Sequence, residues 1–244
     1  MSSITLDLKP PIAGLTLSRD LVGPAEIRDL SSFCEREATD ERVRVIVIMG
    51  AGDSFSRGWD WSALGEGGAL GDPFGCISAL SKPVICALRG ETSGGGLALA
   101  LAADIRLAAE GTTFSFPETA NGLVPMAGAT QRLARLVGRA RGLELVLTGR
   151  PIDADEALRI GLVSEVVAPA ELRRRVEEVA LRIAERGPIA VAYAKEAISR
   201  GVDMPLEQAL RYETELTLLL QATEDRAEGV RAFLEKRKPE FKGK

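Results

Sequence analysis

Histidine is absent from the 244 residues. Without imidazole there is no Ser-His-Asp or Cys-His catalysis, no histidine-ligated metal, and no side chain whose ordinary pKa makes it a general base near neutrality. Any proton chemistry falls to carboxylates, lysine, tyrosine, cysteine or backbone amides. Cysteine is scarce: Cys34, Cys76 and Cys86 are odd in number with no C-x-x-C spacing, so neither a disulfide framework nor a metal site is expected. Long apolar runs are also lacking. The longest, residues 97–103, stops at Asp104, far short of the roughly 20 residues a bilayer crossing needs. The opening stretch MSSITLDLKP shows neither a basic segment nor an apolar run ahead of a small-residue cleavage site, so the expectation is a soluble, cytoplasmic protein without a membrane partner. Excess positive charge is missing too: a net charge of -4 leaves no basic footprint for nucleic acid, and none is expected as a partner.

What is present is a globular composition, 45% hydrophobic and 27% charged, enough for a sizeable core. β-Branched runs at 12–17, 43–49, 84–88, 105–108 and 162–167 predict strands, several of them apolar on both faces. Alternating with helical segments, such as 24–38, they imply an α/β core of parallel strands covered by helices. The Leu/Ala stretch after Gly94 alternates like a strand, but its alanine content and the glycines ahead of it favour a buried helix. From Pro151 the pattern becomes helical. Asp153 and Glu156 have capping-box spacing for a short helix ended by Gly161. Leu172, Val176, Val179 and Ile183 then share one helical face, and helices are expected over 189–200, 205–222 and 224–236. The division is therefore an α/β core over 1–187 and a helical region for packing over 188–244. The glycine-rich segment 65–71 is expected to be a mobile loop.

Three constellations could carry chemistry. Gly94-Gly95-Gly96 lies between a strand and a helix, where glycines allow close backbone approach and the helix N-terminus offers free amides to an anion or oxyanion; tight helix packing would use the same residues. Neither dinucleotide-binding nor Walker glycine spacing is present. Phe55-Ser56-Arg57-Gly58-Trp59-Asp60 follows the strongest strand, in the kind of loop where α/β proteins place sites, with core packing for the tryptophans and a helix cap for Asp60 as the alternatives. Phe116-Pro117-Glu118, ahead of Gln131-Arg132-Leu133, offers a carboxylate among apolar residues whose pKa burial would raise; a surface glutamate opening a helix fits the same pattern.

In this order and spacing the three resemble the crotonase superfamily, the enoyl-CoA hydratase and isomerase family, over essentially the whole chain. The matches are Phe55 to Asp60 against F-x-x-G-x-D, Gly94 to Gly96 with Ala102-Ala103-Asp104-Ile105, Phe116 to Leu133, Leu147-Thr148-Gly149, residues 154–167, and the tail from Phe233 to Pro239. The resemblance implies a ββα spiral core with a C-terminal helical annex. It also implies an acyl-CoA substrate, coenzyme A entering as part of that substrate with no separate cofactor, and assembly into trimers or hexamers.

Residue by residue, the resemblance implies that the backbone amides of Trp59 and Gly95 form the oxyanion hole for a thioester enolate, each donor contributing about 2.7–4 kcal/mol. Of the two glutamates that hold water in the family's hydratases, one falls at Glu118 and the other at Ala98, which can neither accept a proton nor orient water. A lone base can move a proton between two carbons of an enolate, so the expected reaction is a Δ3 to Δ2 double-bond isomerisation with Glu118 as proton shuttle. Hydration by a substitute acid such as Glu91, Asp60 or Glu66, and acyl-CoA binding without turnover, are the alternatives. Arg57, Asp60, Gly94, Gly96, Ala98 and Asn121 are the expected substrate-binding positions, although Asn121 also suits a turn. Arg57, Lys236, Arg237 and Lys238 are candidates for the coenzyme A phosphates, a solvated basic tail being the competing reading. The usual N-A-L segment is not recognisable at 18–24. Ser93 lacks a histidine or a sequence-near lysine to activate it as a hydrolase nucleophile.

Overall fold

The computed structural model describes residues 3–64 and 71–244. Residues 65–70 of the expected mobile loop, Glu66 among them, lie outside the described residues. The elements in chain order are β1 (Ile4–Lys9), β2 (Ile12–Leu17), β3 (Leu21–Val22), α1 (Pro24–Thr39), β4 (Val45–Gly50), β5 (Gly58–Trp59), α2 (Trp61–Leu64), α3 (Gly75–Ala79), β6 (Val84–Leu88), β7 (Glu91–Ser93), α4 (Gly94–Ala102), β8 (Ile105–Ala109) and β9 (Thr113–Ser115). A 3-10 turn (Pro117–Asn121) leads to α5 (Ala129–Val137), α6 (Arg139–Thr148), β10 (Ile152–Asp153), α7 (Ala154–Arg159), β11 (Glu165–Val167), α8 (Leu172–Ala184), α9 (Pro188–Gly201), α10 (Leu206–Gln221) and α11 (Glu224–Leu234).

The large sheet has the order β1-β2-β4-β6-β8-β11. The β1/β2 hairpin is antiparallel, and every other pairing is parallel. Strands β4 and β6 are continuous apolar runs because both faces of the sheet are covered. Ile46, Ile48, Val84, Cys86 and Leu88 face the main core with α1 and α4, whereas Val45, Val47, Ile85, Ala87, Leu107 and Ala109 face Leu172, Val176, Ala180 and Ala184 of α8. Leu172 and Val176 lie on the face the sequence predicts, but its centre continues through Ala180 and Ala184, and the predicted Val179 and Ile183 pack partly buried alongside. Helix α8 therefore belongs to the sheet.

A second layer of short strands is stacked on this frame. Ser56 bridges Thr92, β7 runs parallel to β9, and β10 closes the layer antiparallel to β9. Successive strands of the large sheet thus step into the second layer before entering a helix or helical turn, a repeated strand-strand-helix spiral. The step from β6 to β7 turns at Gly90, whose φ is +57° and whose added Cβ would lie 2.0 Å from the Asp53 carbonyl oxygen, so no larger residue fits.

Two local expectations are refined. The glycines do not precede α4 but form its first turn. At α7 only half of the capping box forms: Asp153 accepts from the Glu156 amide at 2.8 Å, while the Glu156 carboxylate turns to Arg150. Beyond α8 the helices bury little. Helix α9 has no buried residue and α10 only Leu216, although Lys195 ties α9 to Asp104 at 2.7 Å. Among the described residues no helix is long and apolar enough to cross a membrane.

Candidate active site

The site begins at the N-terminus of α4. Ser93 occupies the cap position, but its one hydroxyl hydrogen is shared between the Arg57 carbonyl at 2.8 Å and Glu91 Oε1 at 3.0 Å, and no side-chain hydrogen bond caps the helix. The amides of the first turn, Gly95 included, have no intrahelical acceptor and carry the positive end of the helix dipole. The three glycines meet three different neighbours. An added Cβ would lie 2.9 Å from Glu118 Oε1 at Gly94, 2.7 Å from the Trp59 indole at Gly95, and 2.3 Å from Ser56 Cβ at Gly96. All three glycines are thus needed for close packing, and Gly94 and Gly95 pack against Glu118 and Trp59.

Strand β5 supplies the opposite wall. The Asp60 amide donates to the Val22 carbonyl at 2.8 Å across the β3/β5 pair. By strand alternation, the Trp59 amide points to the other edge, toward α4. The Trp59 side chain is 4% exposed and stacks on Phe74 with ring centroids 6.1 Å apart and planes 12° from parallel. Its Nε1 donates to Glu118 Oε1 at 3.1 Å.

Glu118 is held by the turn that follows β9. Pro117 presets the first position, Gly122 closes the turn in the left-handed region, and Thr119 Oγ1 pins it to the Val146 carbonyl at 2.7 Å. The Glu118 side chain is buried, and its Oε2 has no hydrogen-bond partner among the described residues. Burial raises its pKa; its own backbone amide and the Trp59 indole N–H oppose the rise by stabilising the anion. A buried carboxyl with one anchored and one unengaged oxygen can exchange a proton with a neighbouring carbon acid.

Other predicted positions fall differently. Asp60 is tied into the scaffold: its carboxylate accepts from Ser62 Oγ at 2.6 Å, Arg19 at 3.0 Å and the Ala63 amide at 3.1 Å, which caps α2. Those bonds, the Ser62 hydroxyl first, hold its pKa below the ordinary value. The carboxylate assigned to substrate thus has its polar capacity satisfied by the protein. Asn121 is exposed and its Nδ2 donates to the Pro117 carbonyl at 3.3 Å, which is the turn role. Arg57 is exposed beside Asp20 at 3.3 Å. Ala98 is buried in the apolar body of α4. Glu91 is exposed and accepts a hydrogen bond from Ser93 Oγ, in contrast to the buried Glu118. In the tail, Lys236 and Lys238 are exposed, while Arg237 is bound by Glu228 and Glu235. Among the described residues no group of His, Cys, Asp or Glu is placed to hold a metal. The contact that sequence reasoning missed is the Trp59 indole on Glu118, since nothing in either residue's neighbourhood announces a bond across 59 positions.

The sequence pattern of the enoyl-CoA hydratase/isomerase family matches residues 23–244. The chain belongs to that family. Its relatives include the short-chain-enoyl-CoA hydratase of Clostridium acetobutylicum, 36% identical with 98% of this chain and 97% of the relative covered. The crotonyl-CoA hydratase of Syntrophomonas wolfei is 42% identical over 83% of this chain and 82% of its own length. The carnitinyl-CoA dehydratase of Salmonella arizonae is 39% identical, covering 99% of this chain and 98% of that protein. Among solved structures, the enoyl-CoA hydratase of Bacillus anthracis superposes with a TM-score of 0.93 at 35% identity, covering 99% of this chain and all of that one, 100%. The fold expected from the resemblance, a mixed α/β core with helices at the C-terminus, is that of the family's solved members. Family membership also gives the site its coarse chemistry, since the family works on acyl-CoA thioesters.

Proposed function

We propose that this chain isomerises an enoyl-CoA thioester, shifting the double bond from the 3- to the 2-position, with Glu118 as the proton shuttle. The observation that carries this reading is the buried Glu118 carboxylate, whose Oε2 is unengaged among the described residues, in a chain with an alanine at the position of the family hydratases' second glutamate. Glu118 Oε2 takes a proton from C2 of the 3-enoyl thioester. The electron pair delocalises through the adjacent carbonyl onto the thioester oxygen, which the Trp59 and Gly95 amides stabilise, and through the 3,4-double bond to C4. The same carboxyl then returns the proton to C4, so the product is the conjugated 2-enoyl thioester and no water is consumed. Gly94, Gly96 and Ala98 give the acyl chain a surface of small groups, and Arg57 offers exposed positive charge to the coenzyme A phosphates.

Hydration is the second reading, favoured by the names of the hydratase relatives at 36% and 42% identity. Paired absorbance assays with a 3-enoyl-CoA and a 2-enoyl-CoA separate the two. Absorbance gained from the first without loss from the second supports isomerisation. Rapid loss from the second overturns it, and no change with either leaves a binder without turnover. Under the isomerase reading, E118Q lowers turnover by about 10²–10⁴-fold, the usual contribution of a general acid–base group.

The same reading takes the working form to be a trimer or a pair of trimers. Its support is the apolar surface left by the annex, where Ile198, Val202, Leu206, Phe233 and Leu234 are each more than two-thirds exposed. Sedimentation of the wild-type protein as a monomer at micromolar concentration would refute it.

A further inference from the structure

A carboxylate that shuttles a proton must present one oxygen to the substrate and keep it there. Glu118 has three side-chain torsions, and among the described residues no cation holds it: the influences on its ionisation are burial, its own amide and the Trp59 indole. Helix α4 brings no titratable side chain to the site. Asp60, at the end of β5, is occupied by Ser62, Arg19 and Ala63. Helix α6, packed on the Glu118 turn, carries Glu144, which is bound by Arg141 and Arg150. Exposed Glu91 of β7 is held by Ser93.

The indole, by contrast, is fixed on every side. Phe74 stacks on one face, Gly95 lies so close that even a methyl group there would collide with the ring, and Nε1 reaches Glu118 Oε1. Tryptophan has only two side-chain torsions, so seating its ring costs less order than seating a long flexible donor.

We propose that the Trp59 side chain is the positioning residue for Glu118: its indole N–H anchors Oε1 and leaves Oε2 as the proton-transferring oxygen. The inference rests on Glu118 being the shuttle. It assigns Trp59 two separable duties, an oxyanion-hole amide in the main chain and a carboxylate anchor in the side chain. The second supplies orientation that no carboxylate at Ala98 can give. The anchor also favours the anion, so it keeps Glu118 competent as a base at lower pH than burial alone would allow.

The test combines kinetics with nuclear magnetic resonance on the full-length protein. W59F keeps a ring against Phe74 and removes the donor. It is expected to lower kcat by roughly 10- to 100-fold with KM changed far less, and to move the acidic limb of kcat/KM up by about one to two pH units, the scale of one hydrogen bond to a charged group. The second measurement needs no folded W59F. The wild-type chain has two indole N–H resonances, assigned with W61F. That of Trp59 should titrate with the same apparent pKa as the acidic limb and lose its pH dependence in E118Q. An indole signal that does not titrate, or a folded W59F with wild-type kcat and an unmoved acidic limb, overturns the anchor. Wild-type turnover in E118Q would instead overturn the shuttle itself, whatever W59F does.

Discussion

Gly95→Ala is a one-carbon perturbation whose consequences follow from the distances around it. The new Cβ would lie 2.7, 2.8 and 3.0 Å from three atoms of the Trp59 indole, where carbon atoms prefer about 3.5–4.0 Å. Relief requires the ring to retreat by about 1 Å, and it cannot do so while stacked on Phe74 and bonded to Glu118 at 3.1 Å. Overpacking of this kind costs about 1–3 kcal/mol. Replacing glycine with alanine in a helix returns up to about 1 kcal/mol, less in a first turn. The net loss of stability should therefore be about 0–3 kcal/mol, whereas activity should fall about 10²-fold because a misplacement near 1 Å disturbs both the proposed oxyanion amide and Glu118. Thermal unfolding and kcat/KM on a 3-enoyl-CoA measure the two effects separately. Gly201→Ala in α9 is the control, since its nearest neighbour, Ala209 Cβ, is an ordinary 3.5 Å away. If the ring is the cause, Gly95→Ala should cost less in a W59L background than in the wild type. Wild-type activity and unfolding temperature in Gly95→Ala would refute the seating of the indole on this glycine.

Burial raises the Glu118 pKa above the ordinary carboxylate value of 4.5, so the acidic limb of the rate profile should lie above that value and activity should fall as pH drops through it. The folded state then holds the proton more tightly than the unfolded chain, and stability declines as pH rises from the unfolded pKa through the folded one. E118Q should therefore unfold at a higher temperature than wild type at pH 7, with the gap closing below the ordinary carboxylate pKa; an E118Q less stable at pH 7 would contradict this. Among the cysteines, Cys76 has its pKa lowered to about 7, chiefly by the Cys34 thiol, and complete burial pushes Cys86 up to about 12. Alkylation at pH 7.5 followed by mass spectrometry should find Cys76 labelled first and Cys86 only after unfolding, and early labelling of Cys86 would count against it. Ala98→Glu should bring a second carboxyl toward Glu118 and confer hydration of a 2-enoyl-CoA, at a packing cost of about 1–3 kcal/mol. A folded Ala98→Glu that isomerises but never hydrates would show that a missing carboxylate is not what separates the two reactions.

The sequence showed most plainly what periodicity can carry. Strands β4 and β6 and helix α8 were legible because their burial repeats over several residues, apolar on both faces in the strands and every four residues in the helix. The second layer was not, because β5, β7 and β9 are two or three residues long, too short to show a period, and are formed by pairing across the spiral. In the candidate site, Glu118 and the glycine run were legible as residue types, and the proposed role of the Trp59 and Gly95 amides comes from the family resemblance. What each glycine touches was not, since Ser56, Trp59 and Glu118 arrive from three different elements. Asp60 shows a related limit: the cap role was legible from the sequence as an alternative, but its partner Arg19 lies 41 positions away, so the ion pair that helps to satisfy its carboxylate was not.

The face of α4 that meets Glu118 links this packing to the chemistry. An added Cβ at Gly94 would point at Glu118 Oε1. Ala98 is one helical turn later, and helix side chains lean toward the N-terminus, so whatever grows from position 98 extends along the same face toward Glu118. A long acid there would come within reach of the carboxyl and compete for the space and polarity that the indole N–H now supplies. An alanine leaves that face apolar and adds no like charge beside Glu118, whose one side-chain partner among the described residues is the Trp59 donor. The small residues at 94, 95 and 98 and the large one at 59 are therefore a single arrangement. Glycine at 94 admits the carboxylate, glycine at 95 admits the ring that anchors it, and alanine at 98 withholds the second acid that would hold a water. Altering one member changes the demands on the others, which is why the substitutions at Gly95, Ala98 and Trp59 should show coupled rather than additive effects on turnover.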